Sequence, residues 1–230
     1  MPIFLGSVQA IGVDPAGNVV LADFNSRLLR RIAPSGAVSL AAGLPGVSGV
    51  AIDGVANRAQ FIFLGPIASD GAGVLYVTDN YGVRRIAADG TTSFLAGSPT
   101  DANVVDGNAT TARFFEMRGI AVGPGGNVFV SDSRAIRRIS ADGTTVSRLA
   151  VADVVDGLAV GADGTVFYGG VGGLTQIAPG GAVSIVVPKG PATVAGANPT
   201  LLAIFGIAVL GPKELVIQAN NSLLMKVTLP

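Results

Sequence analysis

Apolar positions come in short alternating or continuous blocks, and the residues between them are Gly, Asp, Asn and Pro. Five times the same order returns: apolar strand, Gly turn, apolar strand, short turn, strand with a basic or polar pair, Gly turn, apolar strand. The first unit has Ile11-Gly12-Val13-Asp14, Val19-Val20-Leu21-Ala22-Asp23, Leu28-Leu29-Arg30-Arg31-Ile32 and Ala37-Val38-Ser39-Leu40. Later units repeat it from Gly65, Gly119, Gly157 and Gly206, and the fifth stops after its third strand. Second strands start at 19, 74, 128, 166 and 215, giving intervals of 55, 54, 38 and 49. The unevenness lies in the link from a fourth strand to the next first strand. Repeats of this length with four strands each have the form of propeller blades.

The turn residues agree. Gly17-Asn18, Gly73, Gly126-Asn127 and Asp163-Gly164 separate first from second strands, and Asp89-Gly90, Asp142-Gly143 and Gly180-Gly181 separate third from fourth. Such pairs supply the φ > 0 positions of tight hairpins, so each unit is an antiparallel meander. A lone meander cannot bury both apolar faces, whereas a ring of them can. The expected fold is an all-β propeller of four-stranded antiparallel blades, one domain over residues 1–230. Five blades are expected, six being the alternative with one unit unrecognised. The segment Pro2-Ile3-Phe4-Leu5 is expected to pair in the last blade and close the ring.

Composition narrows the function classes. Fifteen basic and fifteen acidic residues cancel, so no global charge draws the chain to nucleic acid or an anionic membrane. Cysteine and histidine are both absent. That excludes disulfides and Cys-ligated zinc, and removes the commonest general base and transition-metal ligand. Catalysis would have to run on carboxylates, Lys, Tyr, Ser or an oxygen-ligated metal. No apolar run is long enough to span a bilayer, and Met1 to Gly6 lacks the basic start of a signal peptide. An extracellular or periplasmic location is favoured over a cytoplasmic one, with any leader absent from this sequence. Sequons occur at Asn108 and Asn220.

The residues Ile11-Gly12-Val13-Asp14, Gly17-Asn18, Val19 to Asp23 and Asn25, with Gly119-Ile120-Ala121-Val122, Gly126-Asn127 and Val128 to Asp132, resemble the NHL repeat. The linkers Asp53-Gly54 to Phe61 and Asp106-Gly107 to Phe114 are similar to those of bacterial NHL proteins. The resemblance covers nearly the whole chain and implies a propeller without implying one activity. The chain departs from it in two ways: Gly169-Gly170 and Gln218-Ala219-Asn220 replace the Asp that ends the second strand, and NHL propellers commonly have six blades. Relatives include RNA binders, lactonases and lyases. Few aromatics argue against nucleic acid here, and lack of histidine excludes the His-dependent enzymes.

Three groups of polar residues are candidates. Asp23, Asp79 and Asp132 end second strands and are read as structural turn caps, a carboxylate ring for a cation being the alternative. In the pairs Arg30-Arg31, Arg84-Arg85 and Arg137-Arg138, and at Lys226, one basic residue is expected to meet an Asp. Connections 43–65, 97–118 and 187–205 are long enough to need an explanation. They are expected to rise over one face, with Phe61, Phe63, Phe114, Phe115 and Phe205 as anchors and Asp53, Arg58, Asp106, Asn108 and Arg113 as binding residues. No catalytic residue and no metal ligand is assigned, since Glu116 and Glu214 do not visibly converge and no nucleophile elbow or phosphate loop is present. The glycine run 169–173 reads as a flexible turn.

The expected role is a monomeric, non-catalytic scaffold without cofactor, binding a protein, peptide or glycan on the long-loop face. One alternative is a hydrolase or lyase (lactonase-like) with a carboxylate-held divalent metal, Ca or Mg, in the channel. The other is an engineered or fragment propeller with a structural role only.

Overall fold

Alternation and turn chemistry become hairpins along the whole chain. A computed structural model describes residues 6–47, 49–152, 154–191, 200–201, 203–220 and 223–229. Blade 1 is β1 (Val8–Val13), β2 (Val19–Asp23), β3 (Leu28–Ile32) and β4 (Val38–Ala42). Blade 2 is β5 (Leu64–Ser69), β6 (Leu75–Asp79), β7 (Gly82–Ile86) and β8 (Thr92–Gly97). A two-residue β9 (Gly107–Asn108) precedes blade 3, which is β10 (Met117–Val122), β11 (Val128–Asp132), β12 (Ala135–Ile139) and β13 (Thr145–Val151). Blade 4 is β14 (Val155–Val160), β15 (Val166–Gly170), β16 (Gly173–Ile177) and β17 (Val183–Pro188). After a short pair, β18 (Gly190–Pro191) and β19 (Thr200–Leu201), blade 5 follows as β20 (Ile204–Gly211), β21 (Glu214–Ala219) and β22 (Leu223–Thr228). Every strand pair is antiparallel, and the helical content described is one 3-10 turn at Pro124–Gly126.

The five blades form a β-propeller, as the repeat predicts. The expected closing strand, residues 2–5, lies outside the described residues. Inner strands β1, β5, β10, β14 and β20 lie side by side in chain order. Their approach is close: a Cβ at Gly119 would stand 2.9 Å from the Cβ of Leu158 on the neighbouring inner strand. Glycine there lets two blades meet at the axis. The run 169–173 is more ordered than expected, because Gly169 and Gly170 complete β15 and Gly173 opens β16.

Among the described residues four apolar seams join the five blades. Val20, Ala22 and Leu29 of blade 1 meet Leu64, Ile67, Leu75 and Val77 of blade 2. Tyr76 and Val83 meet Ile120, Val128 and Val130 of blade 3. Phe129 and Ile136 meet Leu158, Val166 and Tyr168 of blade 4. Phe167 and Leu174 meet Leu215 and Ile217 of blade 5. Burial of such side chains contributes about 1.5–3 kcal/mol each, so the seams carry the fold.

A register shift recurs where third and fourth strands pair, at Leu29/Arg30, Val83/Arg84, Ile136/Arg137 and Leu174/Thr175. A second recurs at the entry of each inner strand, as at Val8/Ala10 and Met117/Gly119. Bulges of this kind re-aim side chains, and both sit toward the face that carries the long connections.

Candidate functional site

The connections after blades 1 and 2 are straps built into the blade that follows. In the first, Gly54 exchanges two backbone hydrogen bonds with Thr92 of β8, at 3.0 and 2.8 Å, and Ile52 pairs with Gln60. In the second, β9 pairs with β13 and Val105 with Arg113. The turn between β7 and β8 accepts the first strap closely. Gly90 has φ +84° there, and a Cβ on it would meet Ala56 at 2.6 Å.

Each strap delivers one Asp to a buried Arg. Arg84 Nη2 donates to Asp53 at 2.7 Å and to Ile52 O at 2.9 Å, while Nη1 donates to Asp79 at 2.9 Å. The other Asp53 oxygen accepts Phe94 N–H at 3.0 Å, at the bulge of β8. Arg137 repeats this with Asp106 at 2.8 Å, Asp132 at 2.7 Å, and Arg148 N–H donating to Asp106 at 3.0 Å. Phe61 and Phe114, both buried, lie 5.2 and 4.6 Å from the two guanidinium carbons. A charge withdrawn from water requires partners of this kind; the Nε of Arg84 is the one guanidinium nitrogen of the two residues that is buried without one.

The carboxylates that end second strands hold the incoming chain as well. Asp79 accepts Ile62 and Phe63 N–H at 2.8 and 2.9 Å, and Asp132 accepts Phe115 N–H at 2.6 Å. Asp23 accepts Ser26 N–H in the following turn at 3.3 Å and Gly6 N–H at 3.4 Å. Burial pushes the Asp132 carboxyl up despite its Phe115 and Arg137 partners, with Asp106 adding to the rise. At Asp23 burial also acts upward, but hydrogen bonds from Ser26, Gly6 and Arg30 bring it below the ordinary value.

The five strap residues expected to bind spread along the blade flanks. Asp53 and Asp106 hold Arg84 and Arg137. Arg113 pairs with Asp101 at 2.6 Å and donates to Thr110 O at 3.0 Å, so it clips its own strap. Asn108 sits exposed in β9. Arg58 is exposed, and its side chain makes no hydrogen bond or ion pair among the described residues. None of the five lines the mouth of the central channel.

That mouth is a cavity of about 620 Å³ where inner strands begin. Its wall mixes the aromatic residues Phe63, Tyr81 and Phe115 with the polar residues Gln9, Thr78, Glu116, Arg118 and Asp156. Phe63 and Phe115 are 46% and 39% exposed, whereas Phe61 and Phe114 anchor the straps below. Tyr81 and Phe115 stack at 6.4 Å with 26° between rings, and Phe63 meets Phe24 edge-on at 4.9 Å. Arg118 Nη1 donates to Asp156 at 3.1 Å, tying blade 3 to blade 4 across the wall. Glu116 holds φ +50°, a left-handed conformation for a residue with a Cβ, and its side chain is exposed. Outliers of this sort cluster at binding sites. The Phe-x-Phe and Phe-Phe spacings at 61–63 and 114–115 were the signal for one anchored and one displayed ring; nothing in the sequence marks Glu116.

Such a wall can stack on a flat or apolar group and hydrogen-bond its polar edge. Among the described residues no group of three or more Asp, Glu, His or Cys stands together as a metal site. Glu116 and Asp156 share the mouth, and Asp156 is engaged by Arg118. Glu214 is remote, paired with Lys226 at 2.6 Å.

No protein-family model and no curated protein matches the chain. Solved structures do. A gluconolactonase-like protein superposes with TM-score 0.64 at 19% identity, over 95% of this chain and 73% of that one. The nidogen–laminin complex contains a chain with TM-score 0.68 at 16% identity, over 100% and 78%. A catalytically inactive virginiamycin B lyase from Staphylococcus aureus, solved with quinupristin, gives 0.58 at 14%, over 99% and 72%. The likeness is one of fold. It places the chain among β-propellers, a fold whose members here include both enzymes and binding proteins. Among the described residues no helix is long and apolar enough to cross a membrane.

Proposed function

We propose that the chain is an NHL-like propeller that works as a non-catalytic binding scaffold, taking a peptide, protein or glycan at the channel mouth. The observation that carries this reading is the mixed lining of the mouth, where exposed Phe63 and Phe115 share the wall with Gln9, Glu116 and Arg118. A concave site with an apolar platform and a few placed polar groups is the usual form of a ligand pocket. Arg84 and Arg137 are fully buried and held in ion pairs within the fold, which supports a partner other than nucleic acid. The scaffold is proposed to act as a monomer without cofactor, in an extracellular or periplasmic setting.

A hydrolase or lyase reading draws support from the lactonase-like and lyase neighbours. It requires oxygen ligands beyond Glu116 and Asp156 to hold Ca or Mg. One experiment separates the two: glycan-array and peptide-library screens of the native chain, Phe115→Ser and Glu116→Gln, beside a lactone-hydrolysis assay with Ca and Mg. Selection of a ligand that both variants lose supports the scaffold. Metal-dependent turnover, or ligands indifferent to both substitutions, overturns it.

A further inference from the structure

Inside the fold, cation, carboxylate and aromatic ring stand together twice. Arg137 is held by Asp132 and Asp106, and its guanidinium carbon lies 4.6 Å from the centroid of the Phe114 ring. Arg84 is held by Asp79 and Asp53, with the Phe61 and Phe94 rings at 5.2 and 5.7 Å. A positive charge over an aromatic face is attracted by the quadrupole of the ring. A planar guanidinium also stacks on the ring while its edge bonds a carboxylate. This is the combination with which the chain holds its own buried arginines.

At the channel mouth the rings and a carboxylate recur. Phe114 covers Arg137, whereas the next two residues, Phe115 and Glu116, line the mouth. Phe63 and Phe115 keep exposed ring surface there, and Tyr81 stacks on Phe115. Among the described residues no arginine or lysine stands over any of these three rings. Three charged side chains line the cavity: Glu116, Arg118 and Asp156. Arg118 and Asp156 neutralise each other at 3.1 Å. Glu116 is the charge left over, exposed and with no side-chain hydrogen bond or ion pair among the described residues. It is also the residue held at φ +50°, and strain of that kind collects at ligand sites. The exposed side-chain amide of Gln9 is likewise without a hydrogen bond among the described residues. The mouth is therefore aromatic and locally acidic in a chain whose formal net charge is zero.

We infer that the mouth takes its ligand by an arginine: a peptide or protein segment whose guanidinium stacks on the exposed rings of Phe63 and Phe115 and donates to the Glu116 carboxylate. This rests on the binding role proposed above for the same cavity and names the chemistry it selects. Arginine is favoured over lysine because its planar fork meets a carboxylate through two parallel hydrogen bonds and stacks on a ring, whereas an ammonium is a point charge. A neutral glycan would cover the rings and leave the Glu116 charge unmatched. Gln9 offers a donor and an acceptor to the backbone beside the arginine. The bridge to Asp156 keeps Arg118 from repelling the incoming cation.

The test screens the full chain against a peptide library with a central arginine between randomised positions. The best binders are then titrated by fluorescence polarisation, beside copies carrying lysine or citrulline, the latter an uncharged isostere, in place of the arginine. Citrulline is expected to weaken binding tenfold or more, lysine several-fold, and Glu116→Gln in the chain as much as citrulline in the peptide. Glu116→Asp, which restores a carboxylate, is expected to recover part of the loss, and thermal melts of the variants report that they remain folded. Peptides that bind as well with citrulline or lysine, or that are indifferent to Glu116→Gln, would overturn the arginine assignment. Release of those same peptides by Phe115→Ser would show that the mouth is nonetheless a binding site. No arginine peptide bound up to about 1 mM would also overturn it; glycan capture lost in Phe115→Ser would then preserve the scaffold reading, and no capture of either kind would end both.

Discussion

Arg137 and Asp132 form an ion pair at 2.7 Å with both side chains fully buried. They sit five residues apart on paired strands, and the strap brings Asp106 to the open side of the same guanidinium. Removing one member of a buried pair strands the other, at a cost of about 3–5 kcal/mol. Arg137→Met is expected to lower stability by that amount in urea unfolding. Arg30→Met is expected to cost only about 1 kcal/mol, since its pair with Asp23 is longer, at 3.4 Å, and partly solvated. Equal losses in the two variants would contradict the distinction drawn between the sites.

The straps give a second contrast. Asp53 bonds Arg84 and caps Phe94 N–H, so Asp53→Ala leaves a buried guanidinium and a bulge N–H each short of a partner. The expected loss is about 1–3 kcal/mol. Arg58, four residues from Gly54 and without a side-chain partner among the described residues, is expected to tolerate alanine within about 0.5 kcal/mol. Thermal melts of the two single variants decide it.

Five blades could be read from the chain because the information is local. Hairpin glycines and alternation act over a few residues, and the strap anchors Phe61 and Phe114 stood out as aromatics within the long links. The pairing of Asp53 with Arg84 was not readable, since it joins residues 31 apart through a fold the pattern does not position. Choosing Arg84 over Arg85 needed the register of β7 against β8. The exposed mouth was missed for a related reason: Glu116 is set by backbone conformation, and Gln9, Arg118 and Asp156 come from three separate blades.

Glu116 offers a test in which stability and binding move in opposite directions. A residue with a Cβ at φ +50° carries about 1 kcal/mol of strain that glycine relieves. Glu116→Gly is expected to raise the melting temperature by about 2–4 °C. The same variant removes a polar group from the mouth, so a ligand held there should dissociate faster. A melting point below that of the native chain would show that the carboxylate has a structural task.

Acid sensitivity follows from the turn carboxylates. Hydrogen bonds from Ser140 and Thr144 hold Asp142 below its ordinary 3.8, and those from Thr165 do the same at Asp163. At Asp14 burial acts upward, but Asn18, Arg31 and Ala16 outweigh it, so that carboxyl also ends low. Each binds its proton less tightly in the folded chain than in the unfolded one. Their contribution is therefore complete above 3.8 and is lost as pH falls through the lower folded values. Asp132, raised by burial, acts in the opposite sense: its contribution is present below 3.8 and fades as pH rises through its folded value. Asp23 and Asp89 are lowered as well, so among the described residues five such carboxyls favour the ionised fold against Asp132, and urea midpoints should hold from neutral pH to near 4 and then fall. Replacing Asp142 and Asp163 together by Asn keeps an oxygen acceptor in each turn and removes the charge. The acid limb of that variant should be shallower than the native one, and parallel limbs would show that these turns do not govern acid unfolding.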